Sequence, residues 1–321
     1  MKKVTVTFKV DDIQKDLVED LLKDRCNLNF LKDKNFYSLI ESEVLFSWNP
    51  PRELKGIDKH LLKNIKFIQL LSAGFDHLDF SMFPTECKVA ANKGAYAEPM
   101  AEHILAMILA LSKRLLVNQN KLSQGIFDQK TNNISLKNST CAILGFGGIG
   151  KAAAKLLRPF GTKILAINTS GKSDEKLDFI GTLKDLEYIL KNSDIIVISL
   201  PLNKKTNGLI NKNILEQMKP NAILINVARG EIINQKDLFE HLKNHPDFCS
   251  GIDAWWVEPF TAGEFKLEFP FFELSNFLGS PHNSALVHNS LLNGIRKAVE
   301  NILKYINESN PQNIINQESL Q

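Results

Sequence analysis

Of 321 residues only four are cysteine, Cys26, Cys87, Cys141 and Cys249, and no two stand in a C-x-x-C spacing. That scarcity excludes a zinc ribbon or a disulfide framework and leaves reduced core thiols, as in a cytoplasmic protein. Charge of one sign is also missing: 39 Lys and Arg face 36 Asp and Glu, so nothing calls for nucleic acid or another polyanion. The most membrane-like stretch, "MAEHILAMILAL" (100–111), is too short to span a bilayer and carries Glu102 and His103, so it is expected as a buried helix. The opening "MKKVTVTFKVDD" has neither a long apolar run nor a small-residue cleavage site and reads as a first strand, Val4–Phe8. Internal repeats, low-complexity linkers and clustered metal ligands are absent too. The Asn-rich segment after Ser309 is expected to fray.

What is present is a composition of ordinary globular type, 44% hydrophobic and 23% charged, long enough for two cores. Residues 1–95 alternate strands (Val4–Phe8, Glu43–Phe46, Lys66–Leu70, Lys88–Ala91) with helical stretches near Asp12–Leu22 and Asp58–Lys63. An apolar helix from Pro99 to Asn118 follows, hydrophobic on more than one face and so expected between domains or subunits. Beyond it the alternation becomes regular. Aliphatic strands at Thr140–Leu144, Lys163–Ile167, Asp194–Ser199, Ala222–Val227, Phe248–Ile252 and Asn276–Gly279 are separated by helical stretches at Ile149–Leu157, Leu183–Lys191, Asn211–Met218 and Lys236–Asn244. Such strands predict a parallel sheet covered on both faces. A closing helix, Leu286–Tyr305, is expected to return the chain to the first domain.

Between the first of these strands and its helix, "LGFGGIG" places Gly145, Gly147 and Gly150 in a G-x-G-x-x-G spacing. The bare pattern is common; a preceding apolar strand and an alanine-rich helix opening inside it make this instance specific for a dinucleotide. Gly145 permits the tight turn, Gly147 the approach of a pyrophosphate, and Gly150 close helix–strand packing. The phosphates would lie at the amides of Gly148 and Ile149. The next strand ends in "INTSGKS": where an acid usually holds the ribose of NAD, this chain has Asn168, followed by Thr169, Ser170 and Lys172. With no carboxylate to repel a 2′-phosphate, NADP is favoured over NAD.

Ligands of a doubly wound sheet bind beyond the carboxyl ends of its strands. Arg229 follows the strand Ala222–Val227, Asp253 follows Phe248–Ile252 with Glu258 five residues later, and His282 follows Asn276–Gly279. A guanidinium suits a substrate carboxylate. A histidine backed by a carboxylate suits protonation of a developing alkoxide, because a nearby anion favours the imidazolium. His77 and His103 read as structural.

Six stretches, "LSAGFDHLD" (71–79), "ANKGAYAEPMAEHILAMILAL" (91–111), "LGFGGIGKAAAKLL" (144–157), "NVARGEIIN" (226–234), "GIDAWWVEP" (251–259) and "SPHNSA" (280–285), together resemble the D-isomer-specific 2-hydroxyacid dehydrogenases over nearly the full length. This is the family of the glyoxylate/hydroxypyruvate reductases and D-3-phosphoglycerate dehydrogenase. The resemblance implies an α/β protein of two Rossmann-like or flavodoxin-like domains with doubly wound parallel sheets: a substrate domain of 1–95 plus 287–321, a dinucleotide-binding domain of 96–286, and a cleft between them. It implies Arg229 as the substrate-binding arginine, Glu258 as the partner of His282, and His282 as the acid/base. The backbone of Ala73 and Gly74 would hold the substrate carboxylate. Val227, Ala228, Arg229, Asp253, His282 and Ser284 would meet the nicotinamide end of the cofactor, and Leu200 the adenosine side. It further implies a small 2-keto or 2-hydroxy acid substrate and a homodimer. Trp255 and Trp256 are open between three roles: narrowing the pocket, reaching across a dimer interface, or filling the core. Rival readings are a phosphite- or formate-type dehydrogenase on the same fold and a nucleotide-sensing, corepressor-like binding protein.

Overall fold

Continuous aliphatic strands separated by helices can pair only in parallel, because each crossover returns the chain to the same sheet end. The computed structural model describes residues 1–31 and 35–315, which divide into two compact units: Met1–Tyr96 with the chain from His288, and Ala97–Val287. The first holds a parallel sheet of order β2-β1-β3-β4-β5, with β1 (Lys3–Val6), β2 (Asn27–Phe30), β3 (Val44–Ser47), β4 (Phe67–Leu70) and β5 (Lys88–Ala90). Side chains alternate faces along a strand. Val44 and Phe46 therefore join one apolar cluster while Leu45 joins the other, and both faces are covered. The helix Ser290–Ile306 packs Ile295, Ala298, Val299 and Ile302 into the first of these clusters, a spacing that lines one helical face.

In the second unit the order is β12-β11-β10-β9-β6-β7-β8, again all parallel: β6 (Thr140–Leu144), β7 (Lys163–Ile167), β8 (Phe179–Gly181), β9 (Ile195–Ile198), β10 (Ile223–Asn226), β11 (Cys249–Ile252) and β12 (Phe277–Gly279). Gly279, Ile252, Asn226, Ile198, Leu144, Ile167 and Gly181 pair across the sheet as one row. The residue after each strand end is anchored to its neighbour: Ser280 N–H donates to Ile252 O (2.9 Å), Asp253 to Asn226 O (2.9 Å), Val227 to Ile198 O (3.3 Å), Ser199 to Leu144 O (2.8 Å), Gly145 to Ile167 O (3.0 Å) and Asn168 to Gly181 O (3.1 Å). All strand-end loops thus leave the sheet on one edge. The chain order reverses between β6 and β9, the switch point where such sheets bind ligands.

Several expectations are corrected. The helix read as Pro99–Asn118 is two, Ala97–Ser112 and Leu115–Ser123, because Arg114 adopts a left-handed conformation (φ +54°). Within the second unit, Ala101, Ile104, Met107, Ile108 and Leu111 of the first of these helices fill the core. Strands β2 and β8 escaped the sequence reading because both are short edge strands, the former interrupted by Asn27 and Asn29. The closing helix starts at Ser290 rather than Leu286. The segment after Ser309 is not frayed as far as Ile315: Ile314 bridges Ala90 and Ile315 is buried, while residues 316–321 lie outside the described part. Burial pushes the thiols of Cys26 and Cys249 up to about 11 and that of Cys87 up to about 12, so none is a ready nucleophile. Among the described residues no His, Cys, Asp and Glu cluster could hold a metal, and no helix is long and apolar enough to cross a membrane.

Asn301, on the helix Ser290–Ile306, ties this arrangement together. Its buried amide donates to Gln69 Oε1 on β4 (2.7 Å) and to Gln312 O (3.0 Å), and its Oδ1 accepts from Gln312 N–H (2.7 Å). Asn301→Ala leaves buried polar atoms without partners and is expected to cost about 1–3 kcal/mol of stability. Chemical denaturation checks this, and an unchanged midpoint would contradict the anchoring role.

Candidate active site

At the glycine loop the chain passes against the end of β9. Gly145 has φ +105°, and a Cβ there would lie 2.6 Å from the carbonyl carbon of Ser199, whose hydroxyl donates to Gly145 O at 2.8 Å. A Cβ on Gly150 would meet Gly145 O at 2.6 Å and Ile143 Cγ2 at 2.9 Å, so helix and strand touch there. Gly147 differs: its missing side chain faces open space, with nothing within 4 Å. The helix Gly148–Leu157 begins directly after it without a side-chain cap, leaving the amides of Gly148 and Ile149 to an anion. Open space over uncapped amides at the switch point fits a dinucleotide pyrophosphate. Leu200, buried, follows Ser199 on the neighbouring loop.

The loop after β7 is built by Asn168. Its Oδ1 accepts from the N–H of Gly171 (2.7 Å), the N–H of Ser170 (3.1 Å) and the Ser170 hydroxyl (3.2 Å), while its Nδ2 donates to Lys172 O (2.8 Å). Thr169, Ser170 and Lys172 are exposed around this turn. No carboxylate takes part in it.

Past β10, buried Asn226 organises the arginine. Its Oδ1 accepts from Ala228 N–H (3.0 Å) and its Nδ2 donates to Arg229 O (2.8 Å). Val227 and Ala228 are buried, and Arg229 is half-buried, with Nη1 donating to Ala228 O at 2.7 Å. A Cβ on Gly230 would fall 2.3 Å from the carbonyl carbon of Trp255, which locks this loop against the Trp255–Trp256 backbone.

Trp255 begins the turn that carries Glu258. The Glu258 carboxylate, 5% exposed, accepts from Trp255 N–H (2.6 Å) and lies 2.8 and 2.9 Å from His282 Nδ1. Since a carboxylate only accepts, Nδ1 carries the proton and Nε2 is the ring atom left for chemistry. Phe260 meets the imidazole edge-on, with ring centroids 5.2 Å apart. His282 itself has φ +50°. Asp253, fully buried, accepts from Ser280 Oγ (2.6 Å), Asn283 N–H (3.1 Å) and Ser284 N–H (3.2 Å), so its carboxylate is committed to the loop around His282. The two tryptophans are core residues: Trp255 donates from Nε1 to Ser280 O and packs on Phe265, Phe272 and Phe277, and Trp256 donates to Ile233 O and stacks on Phe271.

The structure therefore gathers Arg229, Asp253, Glu258, His282 and Ser284 on the edge that carries the glycine loop, Asn168 and Leu200. Ala73 and Gly74 belong to the other unit, in the turn after β4, where Ser72 Oγ donates to Gly74 O (2.8 Å). Sequence reasoning missed Asn226, Ser280 and His103. Only the first two carried a signal, as polar residues at the last position of β10 and directly after β12.

The family model of the D-isomer specific 2-hydroxyacid dehydrogenase NAD binding domain matches residues 105–284. An uncharacterised protein of the proB 3′ region of Corynebacterium melassecola is 33% identical, over 70% of this chain and 73% of its own. A glyoxylate reductase of Thermococcus litoralis is 28% identical over 82% of each chain. The solved structure of a D-isomer specific 2-hydroxyacid dehydrogenase family protein from Aeromonas salmonicida superposes with a TM-score of 0.81, at 24% identity, covering 98% of this chain and 99% of that one. The chain belongs to the D-isomer-specific 2-hydroxyacid dehydrogenase family and is an NAD(P)-dependent oxidoreductase of 2-hydroxy and 2-keto acids.

Proposed function

We propose that this enzyme reduces a small 2-keto acid to the D-2-hydroxy acid, with His282 as acid/base, Glu258 as its partner and Arg229 as the carboxylate binder. The observation that carries the reading is the His282–Glu258 pair, 2.8 Å apart at the edge of the sheet. Bound NAD(P)H supplies the hydride to the carbonyl carbon. His282 delivers a proton from Nε2 to the carbonyl oxygen, and Glu258 balances the charge of the imidazolium that gives it up. The Arg229 guanidinium holds the substrate carboxylate. The Gly147–Gly150 segment would hold the pyrophosphate, with Leu200 on the adenosine side, and Val227, Ala228 and Ser284 would serve the nicotinamide end. Oxidation of formate releases carbon dioxide and a hydride without any proton transfer to oxygen, so a built acid/base pair favours keto-acid chemistry over that rival.

In a screen of glyoxylate, hydroxypyruvate, pyruvate and longer 2-keto acids, His282→Ala is expected to lose about 10²–10⁴-fold in turnover. Cofactor affinity should hold. Arg229→Lys keeps the charge but not the two-pronged geometry, and should weaken substrate binding at least about tenfold. Near-normal kinetics in either variant would remove that residue from the mechanism.

NADP is the preferred cofactor in this reading. The Asn168 turn presents Thr169, Ser170 and Lys172 without an anion, and one charged hydrogen bond to a 2′-phosphate is worth roughly 1.5–3 kcal/mol. NADPH should exceed NADH by about tenfold or more in kcat/KM. Asn168→Asp retains the three acceptor bonds of the turn, loses the donor to Lys172 O, adds a charge, and should move the ratio towards NADH. Steady-state kinetics with both cofactors decides it, and a wild-type preference for NADH would overturn the assignment.

The chain is further read as a cytoplasmic homodimer. Four free cysteines suit a reducing compartment, and Leu115, Leu116, Leu122, Ile126 and Phe127 form a run of exposed apolar side chains on and after the helix Leu115–Ser123. Light scattering should give twice the 36.2 kDa chain mass at micromolar concentration; a particle of one chain mass refutes the dimer.

A further inference from the structure

His103 lies on the helix Ala97–Ser112, far in sequence from the loop of His282, yet its Nε2 stands 2.9 Å from Ser280 Oγ and 3.7 Å from Asp253 Oδ1. The directions of these bonds follow from chemistry. Asp253 is 0% exposed, and its carboxylate accepts but cannot donate. The single proton of the Ser280 hydroxyl therefore goes to Asp253 Oδ1, at 2.6 Å. Ser280 Oγ is then left with lone pairs for His103, so His103 must carry its proton on Nε2. The result is a one-way chain of donors, imidazole to hydroxyl to buried carboxylate.

That carboxylate shapes the loop of the acid/base histidine. Asn283 and Ser284, the two residues after His282, donate their amides to its two oxygens. Ser280, two residues before His282, is fixed by its amide on Ile252 O, by its carbonyl under Trp255 Nε1 (2.7 Å) and His282 N–H (3.0 Å), and by its hydroxyl in the chain just described. His282 is held between these anchors at φ +50°, a backbone conformation that residues with a β-carbon rarely adopt. His103 adds a donor on Ser280 Oγ and so holds from the other side the hydroxyl whose proton is on Asp253.

We propose that His103, acting through Ser280 and Asp253, is a positioning residue for keto-acid reduction, holding the His282 loop in its left-handed turn so that Nε2 presents its proton at a fixed place. This rests on His282 being the acid/base. His103→Leu should lower kcat about ten- to hundredfold, the range that misplacement by about 1 Å produces. The Michaelis constant, the NADPH affinity by fluorescence titration and the melting temperature should stay near the parent's. His103→Gln, whose amide N–H can reach the same hydroxyl, should recover most of the loss. The Nδ1–H resonance of His282, assigned by its absence in His282→Ala, should move in His103→Leu and return in His103→Gln. An unchanged kcat and an unmoved resonance in His103→Leu would overturn the proposal. So would equal losses in both variants with a lowered melting temperature, which mark a merely structural histidine. Full turnover by His282→Ala would sink the acid/base reading instead, while the resonance still reports whether the chain of donors sets the loop.

Discussion

The shared register of the seven-stranded sheet is the constraint on which everything chemical in the molecule rests. Because Gly279, Ile252, Asn226, Ile198, Leu144 and Ile167 fall on one row, the next residue of each strand leaves the sheet at the same height. A one-residue slip in any strand would exchange its two faces, and each side chain would then meet a cluster packed for another. Two separate apolar clusters penalise such a slip: Cys141 and Ile143 belong to one, Ala142 and Leu144 to the other. The hydrophobic effect thus fixes the position of polar groups that contribute nothing to it.

Upon that edge, side chains of intermediate size do the local construction. Asn168, Asn226 and Asp253 each sit at or next to the row and fold their own loop by accepting backbone amides. All three are residues whose short polar side chains imitate backbone, which is why they recur at turns. The groups assigned to the reaction, Arg229 and His282, lie on what those residues build.

The alternation of aliphatic runs and helical stretches is enough to read an α/β chain with a parallel sheet in its second part, and to place Arg229, Asp253 and His282 after strand ends. Those features are local, since a buried strand is apolar throughout and stops where it meets water. The parallel sheet of the first part follows only from the family resemblance. What stayed hidden either carries no mark in the sequence or depends on partners distant in it. The Arg114 break could not be seen because nothing in "LSKRLLV" marks a left-handed residue. His103 read as one more buried polar group because its hydroxyl partner is 177 residues away. Asn168 stands where an acid usually holds the ribose, and nothing in the sequence marks the turn that its oxygen builds with three donors of Ser170 and Gly171.

The division of the chain has a consequence for synthesis on the ribosome. The second unit is one continuous segment, Ala97–Val287, whereas the first needs the helix Ser290–Ile306 to cover Val4, Val6 and Phe46. Translation at about 5–20 residues per second separates the two parts of the first unit by roughly 10–40 s. Through that interval one face of the nascent first sheet has only Val18 and Leu22 of the first helix to cover it, while the second unit already has every residue it requires. The part made earliest is therefore finished last.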